Sequence, residues 1–116
     1  MSTFADPEHE LAPQRVADLL ADGGAQVIDV REPYEREAGR IPGTRHIELE
    51  RLASQAETIP RETPVVFYCR LGARSGMAAQ AFRTAGYQAF NLTGGITAWH
   101  DAGLPLEPEG GRVAEH

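Results

Sequence analysis

The chain reads as an α/β domain built on a mainly parallel sheet. Apolar runs of strand length at 25–30, 65–68 and 87–92 alternate with stretches of helical spacing. The connections are short, and glycine or proline stands at nearly every junction, the pattern of consecutive β–α units. With 116 residues there is material for one core and not for two. The 41% hydrophobic and 24% charged content is that of an ordinary globular chain.

Taken in order, Phe4 is assigned to a short first strand, against the breaking influence of Asp6, Pro7 and Glu8. Pro13 suits the first position of a helix, Val16, Leu19 and Leu20 follow at helical spacing, and Gly23-Gly24 ends it. Residues 25–30 are apolar at nearly every position, so this strand is central. A short helix from Glu32 to Ala38 starts at Pro33 and closes at Gly39. Ile41-Pro42-Gly43 is turn chemistry, and a brief strand follows around Arg45, His46 and Ile47. A third helix is expected over Leu49–Ala56, with Leu49, Leu52 and Ala53 on one face. Val65–Tyr68 is a buried strand, Tyr87–Leu92 the last one, and Ile96–Ala102 the last helix, stopped by Gly103 and Pro105. Residues 1–106 form the domain, and 107–116, rich in Pro, Gly and charge, are expected to be a mobile tail.

The chemistry concentrates after the Val65–Tyr68 strand, at Cys69, the only cysteine. Arg70, Leu71, Gly72, Ala73 and Arg74 form a tight loop, and Ser75 is expected to cap the helix that runs to Ala85. In open parallel sheets, ligand sites lie beyond the carboxyl ends of strands, which is where this thiol stands. Helix-start amides, the positive end of the helix dipole and two arginines all favour thiolate over thiol and make the sulfur a nucleophile. A buried core cysteine is the bland alternative, yet such a residue gains nothing from flanking arginines and a glycine-bearing loop.

Composition excludes several other roles. A net charge of -6 argues against a nucleic-acid binder. One cysteine allows no internal disulfide and no resolving partner, and the four histidines show no ligand spacing, so no metal site is expected. No apolar run reaches membrane-spanning length, residues 1–25 lack a signal-peptide pattern, and a cytoplasmic location follows as an expectation.

Three blocks resemble those of the single-domain rhodaneses, the rhodanese-like sulfurtransferases, across roughly Pro13 to Pro105. The first is Ile28-Asp29-Val30-Arg31-Glu32 with Gly39-Arg40-Ile41-Pro42-Gly43-Thr44, the second the Cys69 loop, the third Leu92-Thr93-Gly94-Gly95-Ile96-Thr97-Ala98-Trp99 through Pro105. Arg40 and Thr44 stand where the family often has His and Ala. The resemblance implies a three-layer α/β/α domain with about five strands and a six-residue catalytic loop, Cys69 to Arg74. It implies transfer of a sulfane sulfur from thiosulfate or a similar donor, through a persulfide on Cys69, to cyanide or a thiol, without metal or organic cofactor. Arg70 and Arg74 would hold the donor's oxygens, and backbone N–H groups from Leu71 to Ser75 would cradle the persulfide. Delivery to a partner protein is the alternative acceptor route. A cysteine phosphatase is the nearest rival, but Cys69 and Arg74 enclose four residues where those enzymes hold five.

Other residues read more plainly. Asp29 is expected to anchor the strand–loop junction by accepting backbone or arginine hydrogen bonds. Trp99 belongs in the core, Arg31 and Glu32 form weak pairs with each other or the loop, and Gly94-Gly95 is a turn. A Cys–His pair with His46 or His100 remains open in one dimension.

Overall fold

A computed structural model of the chain describes residues 9–115, so the strand assigned to Phe4 lies outside the described residues. The elements are β1 (Glu10–Leu11), α1 (Pro13–Asp22), β2 (Gln26–Asp29), α2 (Pro33–Ala38), β3 (Arg45–His46), α3 (Leu52–Gln55), β4 (Val65–Tyr68), α4 (Ala73–Thr84), β5 (Ala89–Leu92) and α5 (Gly95–Asp101). The five strands form one sheet in the order β1-β5-β4-β2-β3, with every pairing parallel.

Strand β4 is central, and its alternation sorts the core into two layers. Val65 and Phe67 face one side, where they pack with Ala78, Ala79 and Phe82 of α4 and Leu52 of α3. Val66 and Tyr68 face the other side, with Val16 of α1 and Ile96 and Trp99 of α5. Helices therefore cover both faces, as expected of a parallel sheet whose strands are apolar throughout. Cys69 continues the alternation onto the α4 side.

The boundaries differ from expectation where side chains compete with propensity. The helix expected over Leu49–Ala56 is broken: 3-10 turns at Leu49–Arg51 and Ala56–Thr58 flank a single α-turn, Leu52–Gln55. A helix this short has no room to propagate, and burial of Leu52 and Ile59 decides the path instead. Strand β5 begins at Ala89 rather than Tyr87, because the Tyr87 amide is spent on the Phe82 carbonyl in the turn that closes α4. Trp99 is in the core as expected, 2% exposed, with its indole N–H on the Pro105 carbonyl.

Beyond Glu107 the composition offers little to bury, yet the backbone finds partners along α2 and the turn after it. Arg40 and Glu107 exchange N–H···O bonds of 2.8 and 2.7 Å, the Arg112 amide donates to the Ala38 carbonyl, and the Tyr34 hydroxyl donates to the Glu115 carbonyl. Gly39 admits this approach, since a Cβ there would lie 2.7 Å from the Arg112 nitrogen. Such contacts use main-chain atoms that every sequence carries, so composition does not disclose them. No helix among the described residues is long and apolar enough to cross a membrane.

Candidate active site

Cys69 directly follows β4, at the carboxyl end of the sheet, and is 1% exposed. The loop after it is held from outside by the start of α5. The Cys69 and Arg70 carbonyls accept the Ile96 and Thr97 amides at 2.9 and 3.1 Å. Gly95 permits this contact: its φ is +64°, and a Cβ would lie 2.6 Å from the Cys69 carbonyl oxygen. The pair Gly94-Gly95, expected only to turn the chain, is thus a seat for the loop. With its first carbonyls fixed outward, the loop turns an amide toward the sulfur, and Gly72 N–H donates to Cys69 Sγ at 3.1 Å.

Gly72, at φ +108°, caps α4, which begins at Ala73. Ser75 is therefore not the cap expected of it; it stands in the first helical turn, fully buried, and a cap must lie outside the helix. Its hydroxyl lies 3.3 Å from Cys69 Sγ and 2.6 Å from Oδ1 of Asn91 on β5. The Asn91 amide nitrogen in turn donates to the Gly72 carbonyl and to both Glu10 carboxylate oxygens, each at 3.1 Å. The sequence marks Asn91 as a polar position of the last strand but assigns neither it nor Glu10 to the site. The available signal was a polar residue inside an otherwise apolar strand, for Asn91 is only 5% exposed.

The two arginines divide. Arg74 makes a bidentate pair with Glu35 of α2, both N···O distances 3.0 Å, and Glu35 is fully buried. Burial pushes the Glu35 carboxyl up, but the Arg74 hydrogen bonds, the backbone bond at Glu32 and the Arg74 and Arg31 charges together hold it below the ordinary 4.5. A depressed carboxyl stabilises the fold above its unfolded value and loses that contribution as pH falls through the folded one. Glu35→Gln is therefore expected to cost about 1.5–3 kcal/mol at pH 7 and to flatten the loss of stability below about pH 4.5, read from urea melts across pH. Arg70 differs: its Nε is buried and has no partner among the described residues.

The anchoring role expected of Asp29 is what its geometry provides. Its Oδ1 accepts the Arg31 amide and Nε, and its Oδ2 accepts Arg31 Nη2 at 2.8 Å and Arg36 Nη1 at 3.3 Å. Arg31 is fully buried, which corrects the weak pairing with Glu32 or the loop; the charge of Asp29 is what draws it in. Burial and the Asp29 charge push the Tyr68 phenol up to about 12, so it stays neutral. Thr44, an atypical residue in its signature, has its own hydroxyl on the Ile41 carbonyl and so accepts the Tyr68 proton at 3.0 Å. His46 Nε2 lies 2.7 Å from the Arg31 carbonyl, which occupies that ring nitrogen. His100 is exposed at the far end of α5.

The chain is similar to several described proteins. It is 33% identical to the thiosulfate sulfurtransferase GlpE of Pseudomonas aeruginosa, over 95% of this chain and 99% of that one. It is 46% identical over 76 residues to the uncharacterized protein YqhL of Bacillus subtilis, covering 65% of this chain and 60% of that protein's length. The crystal structure of a rhodanese-related protein from Thermoplasma volcanium superposes with a TM-score of 0.79 over 84% of this chain and 96% of that one; at 24% identity it speaks for the fold alone. Residues 12–102, which hold the Cys69 loop, the Asp29 anchor and the Gly95 seat, match the family described as Rhodanese-like domain, and the chain belongs to that family of sulfurtransferases.

Proposed function

We propose that the protein is a thiosulfate sulfurtransferase that carries the transferred sulfur as a persulfide on Cys69. The observation that carries the reading is a sulfur at the carboxyl end of the central strand that accepts Gly72 N–H at 3.1 Å and has the Ser75 hydroxyl within reach at 3.3 Å. The GlpE relative carries thiosulfate sulfurtransferase in its name. A nucleophile only 1% exposed also favours a small donor over a bulky one.

In the first step the Cys69 thiolate attacks the outer sulfur of thiosulfate. The new S–S bond forms as the sulfur–sulfur bond of thiosulfate breaks, and sulfite leaves with the bonding pair. Charge balances: one thiolate and a dianion become one persulfide anion and a dianion. In the second step cyanide or a thiolate takes the outer sulfur, and the electron pair returns to Cys69. Helix-start amides have no acceptor one turn back, so the reading assigns the Leu71–Ser75 amides to the charge that develops on the outer sulfur. No metal or organic cofactor enters either step. The reading places the protein in the cytoplasm, where a lone thiol stays reduced.

Arg70, with an unspent buried Nε, is the cation available to the donor's oxygens, whereas Arg74 has both terminal nitrogens on Glu35. Arg70→Ala is expected to raise KM for thiosulfate about tenfold, the lower range of a charge-assisted hydrogen bond, with kcat little changed; an unaltered KM assigns the oxygens to another group. The reaction itself is tested by intact-mass spectrometry after thiosulfate treatment, followed by peptide mapping and a thiocyanate assay. A gain of one sulfur atom at Cys69 that cyanide removes is the expected result. No gain with thiosulfate refutes the proposal.

A protein acceptor is the second reading, favoured by exposed apolar residues on the loop and the following helix: Leu71 is 58% and Met77 64% exposed. Leu71→Ser/Met77→Ser would leave cyanide turnover intact under that reading while slowing transfer to a protein thiol.

A further inference from the structure

We propose that Asn91 is a positioning residue that sets how strongly the Cys69 sulfur is held as an anion, by competing with that sulfur for the single proton of Ser75. The inference rests on Cys69 being the nucleophile and adds a residue that touches neither substrate nor the reacting atoms.

The orientation of the Asn91 side chain is fixed by its surroundings. One end faces three acceptors, the Gly72 carbonyl and the two Glu10 carboxylate oxygens, so that end is the NH2 group. Glu10 is itself steadied by the Thr93 hydroxyl, which donates to it at 3.0 Å. The other end, Oδ1, lies 2.6 Å from Ser75 Oγ. A carbonyl oxygen brings no hydrogen, so a contact this short requires the Ser75 proton to lie between them. A serine hydroxyl has only one proton. At rest, then, the Ser75 proton lies toward Asn91, and donating it to Cys69 Sγ, 3.3 Å away, requires the hydroxyl to turn.

Ionisation reverses that preference. Ser75 adds to the stabilisation of a thiolate or persulfide only if its hydroxyl swings the proton away from Asn91. Each such swing leaves Oδ1 of a 5%-exposed amide without its donor, an unfavourable state for a buried polar atom. Asn91 also holds the Gly72 carbonyl, and the amide of the same residue donates to the sulfur. One side chain therefore bears on both donors of Cys69: it orients the amide and restrains the hydroxyl. The charged groups on the elements packed around the loop include Arg70 within it, Arg74 on α4 with its Glu35 partner on α2, Glu32 and Glu50, which line a cavity with Arg74, Asp29 and Arg31 at the end of β2, and Glu10 on β1. Ser75 and the sulfur meet directly at 3.3 Å, so the competition is one of hydrogen bonds.

The test is a double-mutant cycle on the full chain, read by iodoacetamide alkylation, which reports the thiolate fraction at the only cysteine. With the proton committed to Asn91, Ser75→Ala should lower the rate at pH 6 by less than twofold. In an Asn91→Leu background the hydroxyl is free to serve the sulfur, and Ser75→Ala should lower the rate about tenfold. An equal factor in both backgrounds overturns the proposal, because a merely structural Asn91 would act independently of Ser75. If Asn91→Leu does not fold, the wild-type protein supplies the answer through the side-chain amide resonances of Asn91 in the 15N-labelled chain. These should shift as Cys69 titrates and lose most of that shift in Ser75→Ala; a response unaltered by Ser75→Ala overturns the proposal. Normal persulfide formation with no coupling defeats this inference alone, whereas coupling without sulfur uptake defeats the proposed function alone.

Discussion

Replacing Gly95 by alanine is expected to lower kcat/KM for sulfur transfer at least a hundredfold while lowering stability by about 3 kcal/mol. Two effects combine there, and they are separable. The first is conformational: Gly95 sits at φ +64°, where an L-residue costs about 1–2 kcal/mol. The second is steric: the new Cβ would press on the Arg70 carbonyl and lie 2.6 Å from the Cys69 carbonyl oxygen, both backbone groups with no rotamer to escape into. The loop must then withdraw from α5, which stretches the bonds from Ile96 and Thr97 and turns the Gly72 amide away from Sγ. A displacement on the order of 1 Å is enough to cost a hundredfold in rate. Gly103→Ala supplies the comparison: its φ of +80° is similar, but nothing lies within 4 Å of the added carbon. That variant should lose only the conformational part, about 1–2 kcal/mol, and keep its kcat/KM. Equal kinetics in the two variants would show that the seat under the loop does not govern the site.

The contrast between those two glycines marks what the sequence discloses and what it hides. Both stand at an end of the same short helix and look alike as punctuation; only the three-dimensional neighbour distinguishes them. The strands at 26–29 and 65–68 were legible because parallel strands buried on both faces leave continuous apolar runs. The Cys69 loop was legible because its residues are contiguous. The groups that complete the site are not contiguous with it. Glu35 reaches Arg74 across 39 positions and Glu10 reaches Asn91 across 81, and no local pattern records such pairs. The cap expected of Ser75 fails for a related reason: a serine near a helix start resembles a cap, but a glycine at φ +108° three residues earlier already begins the turn. The helix expected over Leu49–Ala56 failed through a true conflict, since its apolar spacing suits a helix while burial of Ile59 bends the chain away.

Asp29→Asn should destabilise the protein by about 3–5 kcal/mol, the usual result of leaving one member of a buried ion pair uncompensated. For a domain of this size that corresponds to a fall in Tm on the order of 15–25 °C. Asparagine has nearly the shape of aspartate, so packing is preserved and the loss reports charge. Arg31 cannot escape by losing its proton. Burial lowers its affinity for that proton, the Asp29 hydrogen bond and the charges of Asp29 and Glu35 raise it overall in the native pair, and without Asp29 a guanidinium still keeps its proton at ordinary pH. In the variant a fully buried guanidinium would face an amide whose NH2 end repels at least one of the three Arg31 N–H groups now donated to Asp29. The pair itself is a different matter. Arg31 Nη1 is buried without a hydrogen-bond partner, so the pair carries a desolvation cost that its bonds do not fully offset. Asp29→Leu combined with Arg31→Met should therefore recover at least half of the loss, because two apolar side chains of similar volume leave no charge behind. Urea melts of the single and double variants decide the point. If the double variant is less stable than Asp29→Asn, the pair holds the strand–loop junction by its own energy. If it is more stable, what Asp29 does is neutralise Arg31, and the carboxylate is needed because the arginine is there.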